Sequence, residues 1–181
     1  MLDKYITDIL DEIYVKNNIE LYLDKCSQNF EIDPNSIGII EKHKFSLESS
    51  TNNIWPSRSF YIKFGEFKKD RFKVLYSGQL LFSKLVKAYS LDFFYEVDNI
   101  DPDAYSPSFT NIEDEPLTIK QAYFFDEFKE NLQRLGFNRI TAKEKKIVIR
   151  NINYKSPNDL YSGQVDLWTA LTHDVLDKTP D

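Results

Sequence analysis

The sequence contains few of the residues on which most catalytic and metal sites depend. Its 181 residues include one cysteine, Cys26, and two histidines, His43 and His173. A single cysteine excludes an internal disulfide and a metal site built from cysteine ligands. The H-E-x-x-H, G-x-S-x-G and Walker A patterns are also absent from the sequence. We therefore expect no cofactor and no metal.

Long apolar runs and an excess of positive charge are missing too. No apolar run approaches the roughly 20 residues that cross a bilayer as a helix. The first residues, MLDKYITDILDEI, lack the apolar core of a secretory signal. The formal net charge is −6, and such a field repels nucleic acid and anionic membranes while attracting basic proteins. We therefore expect a cytoplasmic protein that binds neither membranes nor nucleic acid.

Aromatic residues are abundant, with 14 Phe and 11 Tyr. They bury large areas and favour strands, so a chain of this length can form one good core. No Gly/Ser-rich linker divides the sequence, and we predict a single α+β domain over residues 1–181. The alternating segments SFYIKFGEF, DRFKVLYS and LDFFYEV predict antiparallel strands. Alternation on both sides of DPNSIG predicts a hairpin-like pair, and FNRI with KKIVIRNINY predicts another.

Apolar residues at helical spacing predict three or four helices packed on a mostly antiparallel sheet of about five to seven strands. The strongest pattern ends at Gly136, where a left-handed C-terminal cap is expected. The predicted helices cover about residues 2–16, 79–90, 118–135 and either 157–177 or 163–177.

The pentapeptide LYSGQ occurs twice, at residues 75–79 and 160–164. In both copies an extended pattern precedes it and a helical pattern follows, so we interpret both as strand-to-helix junctions. Ser77 and Ser162 would then cap the helices, and the adjacent glycine would allow the change of direction. A last helix that begins at Ser156 instead would make the resemblance a coincidence. A phosphate-binding loop is disfavoured, because each copy has one glycine and no lysine after it.

The region from Asp98 to Pro116 combines carboxylates, prolines and aromatic residues, which predicts a long loop. Its spacing does not match a calcium-binding EF-hand loop. An acidic, aromatic loop is typical of a surface that binds a basic partner, and the Trp and Arg of the separate segment NNIWPSRSFY are of residue types common at interfaces. The predicted partner-binding residues are Trp55, Arg58, Asp98, Asp101, Asp103, Tyr105, Glu113, Asp114 and Glu115.

Because no catalytic constellation stands out, the sequence favours a non-catalytic protein that binds another protein. In general character (small, acidic, aromatic-rich and without catalytic motifs) the chain is similar to bacterial immunity proteins, which neutralise a toxin. That similarity implies a basic toxin domain as partner, inhibited by occlusion of its active site.

Two alternative functions depend on other residues. An enzyme could use His173 as a base with Asp166 or Asp177, since these spacings share one face of a helix. A nucleic-acid-associated or phage-defence accessory protein could use two basic hairpins, whose lysines are Lys68, Lys69, Lys145 and Lys146. Lysines on a hairpin also protect exposed sheet edges from aggregation, and we favour this role for them.

Overall fold

The computed structural model of the protein describes residues 4–49, 55–101, 109–154 and 163–178. These residues form an α+β fold, as predicted. The helices are α1 (Lys4–Leu10), which continues as a π-helix over Asp11–Val15, α2 (Ile19–Ser27), α3 (Pro34–Lys42), α4 (Ile119–Arg134), α5 (Ala142–Lys145) and α6 (Leu167–Thr172). The strands are β1 (Ser46–Ser49), β2 (Ser57–Lys69), β3 (Phe72–Ser83), β4 (Ala88–Asn99), β5 (Phe109–Glu113), β6 (Asn138–Arg139), β7 (Val148–Tyr154) and β8 (Gly163–Asp166). None of the helices in these ranges is long and apolar enough to cross a membrane.

Six strands form one mostly antiparallel sheet, which confirms the predicted sheet type. Its order is β1-β2-β3-β4-β5, and the short β6 pairs in parallel with the start of β4. The strands β7 and β8 form a separate antiparallel pair. The strands β2, β3 and β4 are paired over most of their length, so the two ends of the sheet along the strand direction can be named by their connections. We call the end at the β2–β3 turn (residues 70–71) the distal end, and the end at the β3–β4 connection (residues 84–87) the proximal end.

The larger core lies between one face of the sheet and the helices α3 and α4. Alternate residues of β2, β3 and β4 point toward these helices and are buried. The buried residues of the sheet face and α4 include Phe60, Ile62, Phe64, Leu80, Phe82, Leu91, Phe93, Phe124, Phe128 and Leu132. Helix α4 begins where the Thr118 hydroxyl accepts from the N–H of Gln121, and Gly136 follows it at φ +83°. The prediction for residues 118–135 is therefore confirmed.

A smaller core covers the other face of the sheet at the proximal end. It contains Ile6, Leu10, Val86, Ala88, Ile140, Val165, Leu167, Ala170 and Leu171. The hydroxyl of Ser83, on the side of β3 opposite to α3 and α4, donates to the carbonyl of Leu171 at 2.8 Å. The Ser57 hydroxyl likewise donates to the carbonyl of Thr172 at 2.9 Å. Helix α6 is thereby fixed against the proximal half of the sheet.

The predicted helix at residues 79–90 is wrong. Residues 79–83 complete β3, a connection spans residues 84–87, and β4 begins at Ala88. This part of the sheet is covered on both faces, so its side chains form a nearly continuous apolar run without the alternation of a half-exposed strand. Apolar residues in such a run also fall at helical spacing by chance, which explains the error.

The hairpin predicted around DPNSIG is also wrong, because these residues begin α3. The carboxylate of Asp33 accepts from the N–H of Ser36 at 2.8 Å, and Pro34 occupies the first turn. The FNRI segment does not pair with the one that follows it: β6 joins β4, and β7 joins β8. The helix predicted for residues 2–16 is confirmed over residues 4–15 by α1 and its π-helical continuation, and residues 2 and 3 lie outside the described part of the chain.

The last helix is shorter than predicted. Residues 163–166 form β8, and α6 extends only from Leu167 to Thr172, with Asp166 accepting from the N–H of Thr169 at 2.7 Å. A helix over residues 163–177 is therefore wrong, and residues 157–162 lie outside the described part of the chain.

The interpretation of LYSGQ as a strand-to-helix junction is wrong for the first copy. Residues 75–79 lie in the middle of β3, where Ser77 is aligned with Lys63 and Phe94 on the neighbouring strands. In the second copy Gly163 begins β8, and the cap of the following helix is Asp166. Ser162 lies outside the described residues.

Candidate functional site

An apolar row crosses four strands near the distal end of the sheet. Phe67, Val74, Val97 and Phe109 are aligned in register on β2, β3, β4 and β5. Residues directly opposite each other in antiparallel strands place their side chains on the same face. This face is the one that carries the larger core toward the proximal end. The two terminal phenylalanines are nevertheless 57% and 63% exposed.

The rows on either side extend this apolar surface. Phe72 lies in the row nearer the β2–β3 turn and is exposed, and Tyr76 and Tyr95 are aligned in the row nearer the core. Among the described residues of these three rows, Lys69 is the only charged one. We call this surface the distal patch. Its members are Phe67, Phe72, Val74, Tyr76, Tyr95, Val97 and Phe109.

The distal patch is exposed because α4 begins just before it. Phe125, in the second turn of α4, contacts Phe93 with 5.6 Å between ring centroids, and Phe93 lies one row from Tyr95. The helix then runs toward the proximal end, where Phe137 lies 5.3 Å from Phe82. The strands β2 and β3 thus continue past the helical layer, and their core-facing side chains meet solvent.

The two edges of the sheet at the distal end differ. Beyond residue 63 the edge is formed by β2, which has a bulge between Lys63 and Gly65 and ends in Lys68 and Lys69. Bulges and lysines are common protection for a free edge, which supports that role for these two lysines. The opposite edge is β5, all five of whose residues are exposed. Its sequence, FTNIE, contains neither lysine nor proline.

The predicted partner-binding residues are spread from the proximal to the distal end of the sheet, with Glu113 aligned with Phe93 between them, and they do not form one surface. Trp55 precedes β2, and Arg58 is aligned with Phe82, so both lie at the proximal end. Asp98 and Asp101 lie at the distal end, with the Asp98 side chain on the face of the sheet opposite to the patch. The length of β3 separates the two groups, which corresponds to roughly 36 Å for a strand of this length.

The five described acidic residues of that prediction all have partners within the chain. These are Lys73 for Asp98, Arg71 for Asp101, Asn111 for Glu113, the N–H of Ala142 for Asp114, and Arg139 for Glu115. Three of these contacts are ion pairs, and each includes a largely buried side chain: Asp101 is 11% exposed, Asp98 25% and Arg139 12%. Asp103 and Tyr105 lie outside the described residues, in the segment that links Asp101 to Phe109.

The proposed catalytic face around His173 does not form. Helix α6 ends at Thr172, so Asp177 lies beyond it, at φ 51°. The Asp166 carboxylate caps the helix through Thr169, seven residues before the histidine. The ring of His173 instead has its Nδ1 2.9 Å from the Thr172 hydroxyl and meets Trp55 edge-to-face at 6.4 Å.

His173 is expected to make the protein less stable at acidic pH. Desolvation by the surrounding protein lowers its pKa, although the charge of Asp166 acts in the opposite direction. The unfolded chain therefore takes up this proton near pH 6.5, before the folded chain does, and stability falls as the pH drops through that window. Unfolding in urea at pH 7.5 and pH 5.0 measures the loss, which should be smaller for His173→Gln than for the wild type. Equal losses in both proteins would contradict this assignment.

The basic hairpins proposed for nucleic-acid binding are not both present. Lys68 and Lys69 end β2, but Lys145 ends α5 and is mostly buried. Its ammonium group lies 2.6 Å from the Asp92 carboxylate and 4.7 Å from the centroid of the Trp168 ring. Lys145 thus stabilises the packing of α5 and α6 on the sheet, and it is not available to a phosphate backbone.

The surroundings of Cys26 and of the possible metal ligands are those of structural residues. Cys26 is buried, and burial raises the pKa of its thiol to about 11, which makes it a poor nucleophile. Within the described ranges, no cluster of three or more His, Cys, Asp or Glu side chains could hold a metal ion. Comparison with protein-family models, with curated proteins and with solved structures finds no match to this chain.

Proposed function

We propose that the protein is a non-catalytic binding protein that contacts another protein through the distal patch. The observation that carries this proposal is the row from Phe67 to Phe109, which is apolar on four adjacent strands and exposed at both ends. Protein interfaces are enriched in aromatic residues and depleted of charge at their centres. Contiguous exposed apolar surface flanked by polar residues is typical of such interfaces.

The charge of the chain favours a basic partner over a second copy of the chain. At a formal net charge of −6, two copies of the chain repel each other electrostatically, whereas a basic protein is attracted to the chain. Asp101, at the distal end, contacts Arg71, whereas Asp98 contacts Lys73 on the face of the sheet opposite to the patch. A partner's lysine or arginine could take the place of Arg71 beside Asp101 while its apolar side chains cover the patch.

Inhibition of a basic toxin domain is the specific form of this function that the sequence suggests. In it, the patch and the adjacent acids would occlude the toxin's active site. The test of this form is loss of the partner's activity on addition of one equivalent of the protein.

Replacing Phe67 and Phe109 with serine together is expected to weaken partner binding by at least about 30-fold, because both side chains would fill apolar pockets of the partner. Affinity purification from the source cell with the wild type, followed by quantitative mass spectrometry, identifies the partner. Titration of the purified partner then gives the affinity of each variant. The control is Leu23→Ser, which removes an exposed apolar side chain from α2.

Three outcomes of that experiment are informative. Loss of a stoichiometric basic protein from the double variant, with full binding by Leu23→Ser, supports the proposal. Equal binding by both variants contradicts it. Self-association of the wild type that the double variant abolishes would also contradict it, because the patch would then join two copies of the chain. Thermal melting of each variant shows whether the sheet remains folded.

A further inference from the structure

A cavity of about 270 Å³ lies at the proximal end, at the opposite end of the sheet from the distal patch. It opens between α2, the segment that follows α2, and the β3–β4 connection. Its lining residues are Tyr5, Lys25, Gln28, Asn29, Phe30, Ser83, Lys84, Leu85, Val86, Lys87 and Phe137. Three of these described residues are lysines, and none is a carboxylate. In a chain with a net charge of −6, this is a local concentration of positive charge.

Lys84 is the most deeply placed of the three lysines, at 8% exposure. Its ammonium group donates to the carbonyl of Cys26 at 2.7 Å. Burial lowers the pKa of Lys84, and the positive charge of Arg58 lowers it further. Burying a lysine costs free energy, and buried ionisable groups that line a cavity are often binding residues.

The other two lysines are less buried than Lys84, and Lys25 is partly exposed. Lys87 is exposed, and its ammonium group donates to the carbonyl of Leu135 at 3.1 Å. This carbonyl accepts one hydrogen bond from the ammonium group, but it does not neutralise the positive charge of Lys87. Two carboxylates lie just outside the lining, and they accept from its amides: Asp24 from Gln28 at 3.3 Å, and Glu31 from Asn29 at 3.2 Å.

One wall of the cavity is aromatic. The rings of Phe30 and Phe137 meet edge-to-face at 6.2 Å, and Lys87 lies 5.9 Å from the Phe137 ring. The cavity therefore offers both positive charge and apolar surface. Three lysines suit an anion with more than one charge and several acceptor oxygens, and a phosphate monoester has both properties. The aromatic wall suits a small planar or apolar group attached to that phosphate.

We propose that this cavity binds a small phosphorylated molecule, whose phosphate lies among Lys25, Lys84 and Lys87 and whose apolar part packs against Phe30 and Phe137. The volume limits the ligand to a few functional groups, since it lies near the low end of small-molecule pockets. This site is separate from the distal patch, so either proposal can fail without the other.

Isothermal titration of the full chain with phenyl phosphate at physiological salt tests the proposal. We expect saturable binding that is tighter than for inorganic phosphate, which lacks the apolar group, and tighter than for phenol, which lacks the charge. Lys84→Met should weaken phenyl phosphate binding about ten-fold, the loss expected for one charge-assisted contact. Lys87→Gln, at an exposed position that leaves the fold intact, should weaken it about five-fold.

The control is Lys69→Gln, which removes the same charge at the distal end. It should bind phenyl phosphate like the wild type, as should the Phe67→Ser, Phe109→Ser double variant. Absence of saturable binding by the wild type overturns the proposal. An equal loss for Lys69→Gln and Lys87→Gln also overturns it, because binding would then reflect net charge alone. If Lys84→Met does not fold, Lys87→Gln and Lys25→Gln decide the result.

Discussion

Replacing Phe124 with alanine is expected to lower the free energy of unfolding by about 4 kcal/mol, within the range for a fully buried phenylalanine. The side chain has no exposed surface, and its ring lies 5.3, 5.7 and 5.1 Å from the rings of Phe45, Phe64 and Phe128. These neighbours belong to β2, α4 and the segment before β1, so they cannot all move into the space that alanine leaves. The variant therefore loses both the transfer free energy of the ring and the contacts around the cavity.

Urea unfolding followed by circular dichroism measures this loss. The control is Phe67→Ala, which removes the same side chain at an exposed position of the distal patch and should change stability by less than about 1 kcal/mol. Phe124→Leu should fall between the two, because it fills part of the space. If Phe124→Ala were no more destabilising than Phe67→Ala, α4 could not be packed on the sheet as described. The explanation for the exposure of the distal patch would then be wrong too.

The parts of the fold that the sequence predicts correctly are those where local signals agree with the tertiary environment. The sequences of β2 and of the first half of β3 largely alternate between apolar and polar residues, as expected for strands with one apolar face. Helix α4 has an apolar stripe, the cap Thr118 and a terminal Gly136. Each of these features is typical of one kind of secondary structure, so the strand or helix can be predicted from the sequence pattern alone.

The errors arise where one pattern fits two structures. Asp-Pro begins a turn or caps a helix with equal ease, and only the packing of Ile39 and Ile40 under α4 and the sheet selects the helix. At the proximal end, the run from Leu80 to Val86 is buried by the two cores on opposite faces of the sheet. Its alternation is lost because of neighbours that are far away in the sequence.

The candidate sites depend even more on distant pairing. Phe67 and Phe109 are 42 positions apart in the chain, and only the register of four strands brings them into one row. Their sequence patterns are those of ordinary half-buried strands, so exposure could not be predicted without knowing where α4 begins. Trp55 and Asp98 seemed suitable for one surface by residue type, but the antiparallel pairing of β2 and β4 with β3 puts them at opposite ends.

The repeated LYSGQ also could not be interpreted from its sequence pattern alone. The second prediction concerns Gly78, the glycine of its first copy. Gly78→Val is expected to lower the free energy of unfolding by about 3 kcal/mol, at the upper end of the cost of overpacking a core. A Cβ at this position would lie 2.7 Å from Cε2 of Phe64 and 3.2 Å from the carbonyl oxygen of Asp92. The ring cannot move away easily, because it is stacked on Phe93 at 5.5 Å and meets Phe45 edge-to-face at 4.9 Å.

The matched control is Gly38→Ala, because a Cβ at that position of α3 would meet nothing within 4 Å apart from the helix's own backbone and the neighbouring residues. Alanine favours the helix, so this variant should gain about 0.5 to 1 kcal/mol. Urea unfolding of the two variants should therefore shift in opposite directions. A Gly78→Val variant as stable as the wild type would show that the Phe64 ring does not lie over the glycine. If the shifts are as expected, the glycine of the first LYSGQ is required by the close approach of an aromatic ring to a strand, and neither a helix cap nor a phosphate loop explains it.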